Sequence, residues 1–149
     1  MKEQNKQLLL KDLCARLPYG VKCRFISSKG DIPSTIVKVD IENETVSHKP
    51  EGQSVVYFHW IESGNIKPYL RQMSSMTEEE KEELKQEHIK DEKLYAECLT
   101  KAANGDDSMR GKVITHFAAD WCNKNHFDFR GLIPMGLALE APEGMYELK

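Results

Sequence analysis

Leu9, Leu13 and Leu17 recur at intervals of four, with Leu10 and Cys14 beside them, and this spacing predicts a short helix over residues 6–17. Pro18-Tyr19-Gly20 stops it. Val21-Lys22-Cys23-Arg24-Phe25 then alternates apolar with basic positions, the pattern of a strand with one wet face. Residues 27–31 turn around Gly30. Residues 35–46 read as one long strand, or a hairpin around Glu42-Asn43-Glu44, with Ile36, Val37, Val39 and Ile41 supplying β-branched content. After the turn Lys49-Pro50-Glu51-Gly52, residues 54–61 form the strongest strand. Val56, Phe58 and Trp60 share one face, and Val55, Tyr57, His59 and Ile61 the other. Ser63-Gly64-Asn65 leads into a last strand over 66–73. Four or five strands at this spacing predict a small, strongly bent antiparallel sheet, SH3-like or barrel-like.

The period then changes from two to 3.6. Thr77 with Glu80 three residues on forms a capping box, and Glu78 and Glu79 add acid to the first turn, where the helix dipole favours it. The helix this opens, 78–103, begins as a charge-laced rod interrupted by Leu84 and Ile89. It becomes amphipathic through Leu94, Tyr95, Cys98, Leu99 and Ala102. That half is expected to dock, as an antiparallel hairpin through the loop 104–107, on a second helix. Ser108 is the N-cap of that helix, and Met109, Val113, Phe117 and Trp121 repeat every four residues, with Ile114, Ala118 and Cys122 alongside. Asn123 and Asn125 end it. In the tail, Asp128 is placed to cap a short turn through Ile133, and Leu137-Ala138-Leu139 reads as a brief strand closed by Pro142 and Gly144. So apolar a tail predicts packing into a core. The class is α+β: a short helix and a β subdomain over 1–73, then a helical hairpin and tail over 74–149, expected to pack as one unit with the sheet.

With 149 residues, 40% hydrophobic and 30% charged, the chain can bury a core and is not wholly disordered. No apolar run reaches the ~18 residues of a membrane span, and Leu8-Leu9-Leu10 is too short for a signal-peptide core, so a cytoplasmic protein without membrane partners is expected. Cys14, Cys23, Cys98 and Cys122 show no CxxC spacing. The net charge of -3 is unevenly spread. Residues 1–71 carry 11 Lys and Arg against 8 acids, 72–101 carry 5 against 9, and 102–149 carry 5 against 7. The basic half lacks the strong field that alone drives nonspecific nucleic-acid binding.

Three groups of residues could carry chemistry. His116 and Asp120 stand at i, i+4 and, with His126, form a candidate metal set near Cys122 and Asp128; the plainer reading is a surface His–Asp pair. Cys122 with His126 four residues on is a candidate thiolate–imidazolium pair, set against ordinary packing of a buried cysteine. Tyr57, His59, Tyr69 and Arg71 would form an aromatic and basic binding face if Phe58 and Trp60 turn inward. Small barrels hold single strands with such faces, and ordinary sheets also use such cross-strand pairs. No GxGxxG, P-loop, GxSxG or HExxH occurs, and no cofactor is implied.

The blocks 8–21, 67–71, 74–80 and 136–146, together with Asp120-Trp121 and 126–133, resemble a family of small proteins of gut anaerobic bacteria and their prophage-like mobile elements. No activity is known for that family, so the resemblance implies no functional residues. It implies an accessory protein of a mobile element. With no converged catalytic set, the expected function is a non-enzymatic binding or adaptor role toward protein or nucleic acid, with homo-oligomers possible. The alternative is a small metal-dependent or cysteine/histidine enzyme using the 116–128 cluster.

Overall fold

Leu9, Leu10 and Leu13 lie about a turn apart on one face of α1 (Glu3–Arg16), and all three are buried. In a computed structural model that describes residues 1–28, 30–105 and 117–146, this face meets the sheet predicted from the alternating segments. A 3₁₀ turn, Leu17–Tyr19, ends at Gly20 in the left-handed region (φ 68°), which a residue without Cβ adopts freely. Five strands follow: β1 (Lys22–Ser27), β2 (Gly30–Asp40), β3 (Thr45–Pro50), β4 (Tyr57–Trp60) and β5 (Ile66–Leu70). Successive strands from β1 to β4 pair antiparallel. The 3₁₀ turn Ile61–Ser63 then carries the chain away from β4, and β5 returns to pair antiparallel with β1. A two-residue strand, β6 (Leu139–Glu140), adds parallel to β5, so the sheet is mixed rather than purely antiparallel, with order β4-β3-β2-β1-β5-β6.

Ile36 and Val39 are three residues apart, which a strict two-residue period would place on opposite faces. A bulge between Ile36 and Lys38 inserts Val37 as the extra residue, so Ile36 and Val39 both reach the core while Val37 and Lys38 stay exposed. The core joins Leu9, Leu10 and Leu13 to Val21, Cys23, Ile36, Val46, Ile61, Ile66 and Leu70 from the strands and their flanks, and to Leu132, Leu137 and Ala138 from the tail. Each buried leucine here contributes about 1.5–3 kcal/mol of burial.

The chain divides into two compact units: Met1–Met73 with Asn123–Lys149, and Ser74–Cys122. The tail therefore groups with the sheet. Three contacts explain this. His126 O accepts the Arg71 N–H at 2.8 Å, and Asp128 N–H donates to Arg71 O at 2.8 Å. The Arg71 guanidinium also lies 4.1 Å over the ring of buried Phe127. Asp128 caps the next turn as expected, accepting the N–H groups of Leu132 and Ile133, both at 2.8 Å.

In the second unit, α2 (Glu78–Ala103) opens on the expected capping residue: Thr77 Oγ1 accepts the Glu80 N–H at 3.2 Å. Exposed pairs such as Lys81–Glu78 and Lys90–Glu87 line its solvated flank. Ser108, Met109, Val113 and Ile114 of the expected second helix lie outside the described residues; its later part is α3 (Phe117–Lys124). Asp91 accepts the N–H groups of Phe117 (2.7 Å) and Ala118 (3.0 Å), and Glu83 accepts Trp121 Nε1–H at 3.2 Å. These contacts lie on the charged half of α2; Met109, Val113 and Ile114, expected to meet the stripe from Leu94 to Ala102, lie outside the described residues. Tyr95 and Leu99 of that stripe are exposed.

Candidate functional site

The wet face of the sheet is built by register. Lys67 of β5 stands opposite Arg24 of β1, and Arg24 opposite Pro33 of β2. One row along, Lys22 is opposite Thr35, and Thr35 opposite Lys49 of β3. In the next row Ser47 separates Lys38 from Phe58, and in the last Thr45 separates Asp40 from Trp60. Because opposed residues share a face, five cations and two large aromatics project from the same side, on strands about 4.8 Å apart. Lys22 is paired with Glu51, and Arg24 approaches Asp31 at 3.7 Å. Lys38, Lys49 and Lys67 hold no ion pair among the described residues. Asp40, a further acid on this face besides Asp31 and Glu51, accepts the side-chain and backbone N–H groups of Asn43, both at 3.0 Å, and the side-chain bond leads in lowering its pKa. Phe58 and Trp60 are 61% and 62% exposed, edge to face with centroids 5.7 Å apart. Beside Lys22 and Glu51, the tail residues 142–145 and Pro33 border an open groove of about 380 Å³.

The orientation of β4 is thus opposite to the one on which the expected binding face depended: Phe58 and Trp60 face solvent. Tyr57 and His59 turn to the face shared with Phe25 and His48. The Phe25 ring centroid lies 5.9 Å from Tyr57, 4.9 Å from His59 and 4.7 Å from His48. Tyr57 keeps an exposed edge and His59 is half-buried. Tyr69 and Arg71 do not join them, since β3, β2 and β1 lie between β4 and β5. Tyr69 is half-buried on the wet side, and Arg71 is engaged with Phe127. His48 is fully buried, stacked on His59 at 5.3 Å, with both ring nitrogens lacking a partner. Burial, with the neighbouring His59, lowers its pKa to about 4, and burial also lowers that of His59. Both rings are neutral at pH 7.

Of the candidate metal set, His116 lies outside the described residues and Asp120 is exposed on α3. His126 is buried, its ring stacked on Tyr146 at 3.8 Å. One ring nitrogen donates to the Tyr19 carbonyl while Nδ1 has no partner, and burial, then the Arg16 and Arg71 charges, lowers its pKa to about 4. Among the described residues no three His, Cys, Asp or Glu side chains gather as metal ligands. Cys122 is buried and outside any disulfide.

A buried ionic lock, without a distinctive sequence signal, ties α1 to the tail. Asp12 and Arg16, fully buried on α1, pair at 2.8 Å; Arg130 reaches Asp12 at 2.7 Å and Asn123 at 2.9 Å; and Arg16 donates to the Phe127 carbonyl at 2.7 Å. Their i, i+4 spacing was visible, but it describes exposed helix pairs equally well. The lock fastens α1 to the tail and leaves the wet face of the sheet free.

No family model, no curated protein and no solved structure matches this chain. No helix among the described residues is long and apolar enough to cross a membrane.

Proposed function

We propose that this protein is a non-enzymatic binding module that holds single-stranded nucleic acid across the wet face of its sheet. The observation that carries this reading is the register: Lys22, Arg24, Lys38, Lys49 and Lys67 share one face with the exposed rings of Phe58 and Trp60. Cations tracking a phosphate backbone beside rings on which bases stack are the two elements of single-strand binding. A double strand offers no free base face to such rings. A protein partner would make less use of Lys38, Lys49 and Lys67, which hold no ion pair among the described residues and belong to a residue type depleted from protein interfaces.

Finer structural readings support the same picture. The order β4-β3-β2-β1-β5, with a 3₁₀ turn before β5 rejoins β1, supports an SH3-like form for the five-stranded part. The bonds from α3 to Asp91 support a helical hairpin with α2. The resemblance of 8–21, 67–71, 74–80 and 136–146 to mobile-element proteins supports an accessory role beside nucleic acid.

The test is fluorescence anisotropy with labelled oligo-dT and oligo-U of about 15 nucleotides, against a duplex, between about 50 and 200 mM salt. Single strands should bind better than the duplex. Trp60→Ala and Phe58→Ala should each weaken binding about 5- to 150-fold, the range of one base–ring stack. In a Trp121→Phe background, Trp60 fluorescence should be quenched as strands bind. Absence of binding at the lowest salt, or binding indifferent to both aromatics, would sink the proposal.

A further inference from the structure

The two edges of the sheet are treated differently. At one end β6 is only two residues long, and Pro142 follows it closely, both devices that blunt an edge. At the other end β4 has neither. From Ser54 to Ile61 the chain reads Ser-Val-Val-Tyr-Phe-His-Trp-Ile, without a Lys, Arg, Asp, Glu, Pro or Gly, and no described strand pairs with its outer side.

The direction of the free backbone groups follows from one bond. Ile61 N–H donates to Glu44 O at 2.9 Å while Trp60 stands opposite Thr45, so Trp60–Thr45 is a pair that exchanges no bonds. By alternation, Phe58 also turns its N–H and C=O away from β3, whereas Tyr57 and His59 bond inward.

The geometry points to a second copy of this chain as the occupant of the β4 edge, paired antiparallel about a two-fold axis through Phe58. That register sets Phe58 against Phe58 of the other copy, Val56 against Trp60, and Tyr57 against His59. These are aromatic and β-branched cross-strand pairs of the kind that stabilise antiparallel sheets. Because the strand is uncharged, the symmetric pairing juxtaposes no like charges, and a charged peptide would find no complement there. Val55, Val56, Tyr57, Phe58 and Trp60 are 41–62% exposed. Together they expose on the order of 500 Å² per copy, of which edge pairing covers the part along the seam and leaves the ring faces on the wet side open. The wet faces of the two copies would continue one another across the seam.

Sedimentation velocity of the full chain over about a hundredfold concentration range should show a monomer passing to a dimer. Hydrogen exchange should show the Phe58 and Trp60 amides fast when dilute and at least about tenfold slower when concentrated. The Ile61 amide, bonded to Glu44, should be slow at both. Phe58→Pro removes an N–H that faces away from β3, so the sheet tolerates it, and it should sediment as a monomer; Val56→Lys should do the same while keeping the ring. A monomer at every concentration, or a dimer whose Phe58 and Trp60 amides exchange freely, would overturn the inference. So would slowing of those amides in a monomer only when oligo-dT is added, which would give the edge to nucleic acid. Oligonucleotide binding by the monomeric Val56→Lys protein separates this outcome from failure of the wet-face reading.

Discussion

Tyr146 lies flat against His126, ring centroids 3.8 Å apart and planes 16° from parallel. Its hydroxyl accepts the Lys22 N–H at 2.9 Å and donates to the Tyr69 carbonyl at 2.8 Å. The phenol thus bridges β1 and β5 just beyond Cys23–Pro68, the last paired position of that ladder. Burial raises its pKa.

Tyr146→Phe keeps the ring on His126 but leaves a strand N–H and a strand carbonyl without their partner. It should cost about 1–3 kcal/mol. Tyr146→Ala should cost more, since the stack is lost as well. Urea unfolding of the two variants checks the order. Equal losses would show that the stack contributes nothing, and an unchanged Tyr146→Phe would show the same of the hydroxyl bridge.

Asp12 is the anion that two arginines share. Asp12→Ala leaves Arg16, fully buried, beside Arg130 with no carboxylate between them, and should cost about 3–5 kcal/mol. A melting temperature within a few degrees of the parent would show that the lock is not needed.

Acid should loosen the first unit from about pH 6.5 downward. His48 and His126 have folded pKa values of about 4, against an ordinary 6.5. As pH falls below 6.5 the unfolded chain takes up protons that the folded chain refuses, so stability present above 6.5 is lost progressively toward pH 4. Urea midpoints measured from pH 7 to 4 should fall. His48→Phe gives up no hydrogen bond, since neither nitrogen has one, and should flatten the fall by up to one proton's worth of slope.

The lysines of the wet face should report themselves through salt. With three to five phosphate contacts, the slope of log K against log salt for a single strand should be about −2 to −3.5. Lys38→Ala, Lys49→Ala and Lys67→Ala should each reduce its magnitude by about 0.7. An unchanged slope in all three would place the phosphates elsewhere.

The sequence by itself determined what depends on near neighbours. The four-residue spacing of Leu9 and Leu13, the Thr77–Glu80 cap, the Asp128 cap and the apolar–basic alternation of 21–25 all describe one turn or one strand, and each is seen in the structure. Only the tertiary structure decided which way β4 faces. Its two faces, Val-Phe-Trp and Val-Tyr-His-Ile, are about equally apolar, so local hydrophobicity cannot choose between them. The choice falls to the register with β3, which places Tyr57 beside His48 and Phe58 beside Ser47. The bulge at Val37, which lets Ile36 and Val39 share the core, is decided by packing in the same way. Burial of Asp12 and Arg16 depends on Phe127 and Arg130, more than a hundred residues downstream, because a buried ion pair is tolerable only where distant groups complete its hydrogen bonds.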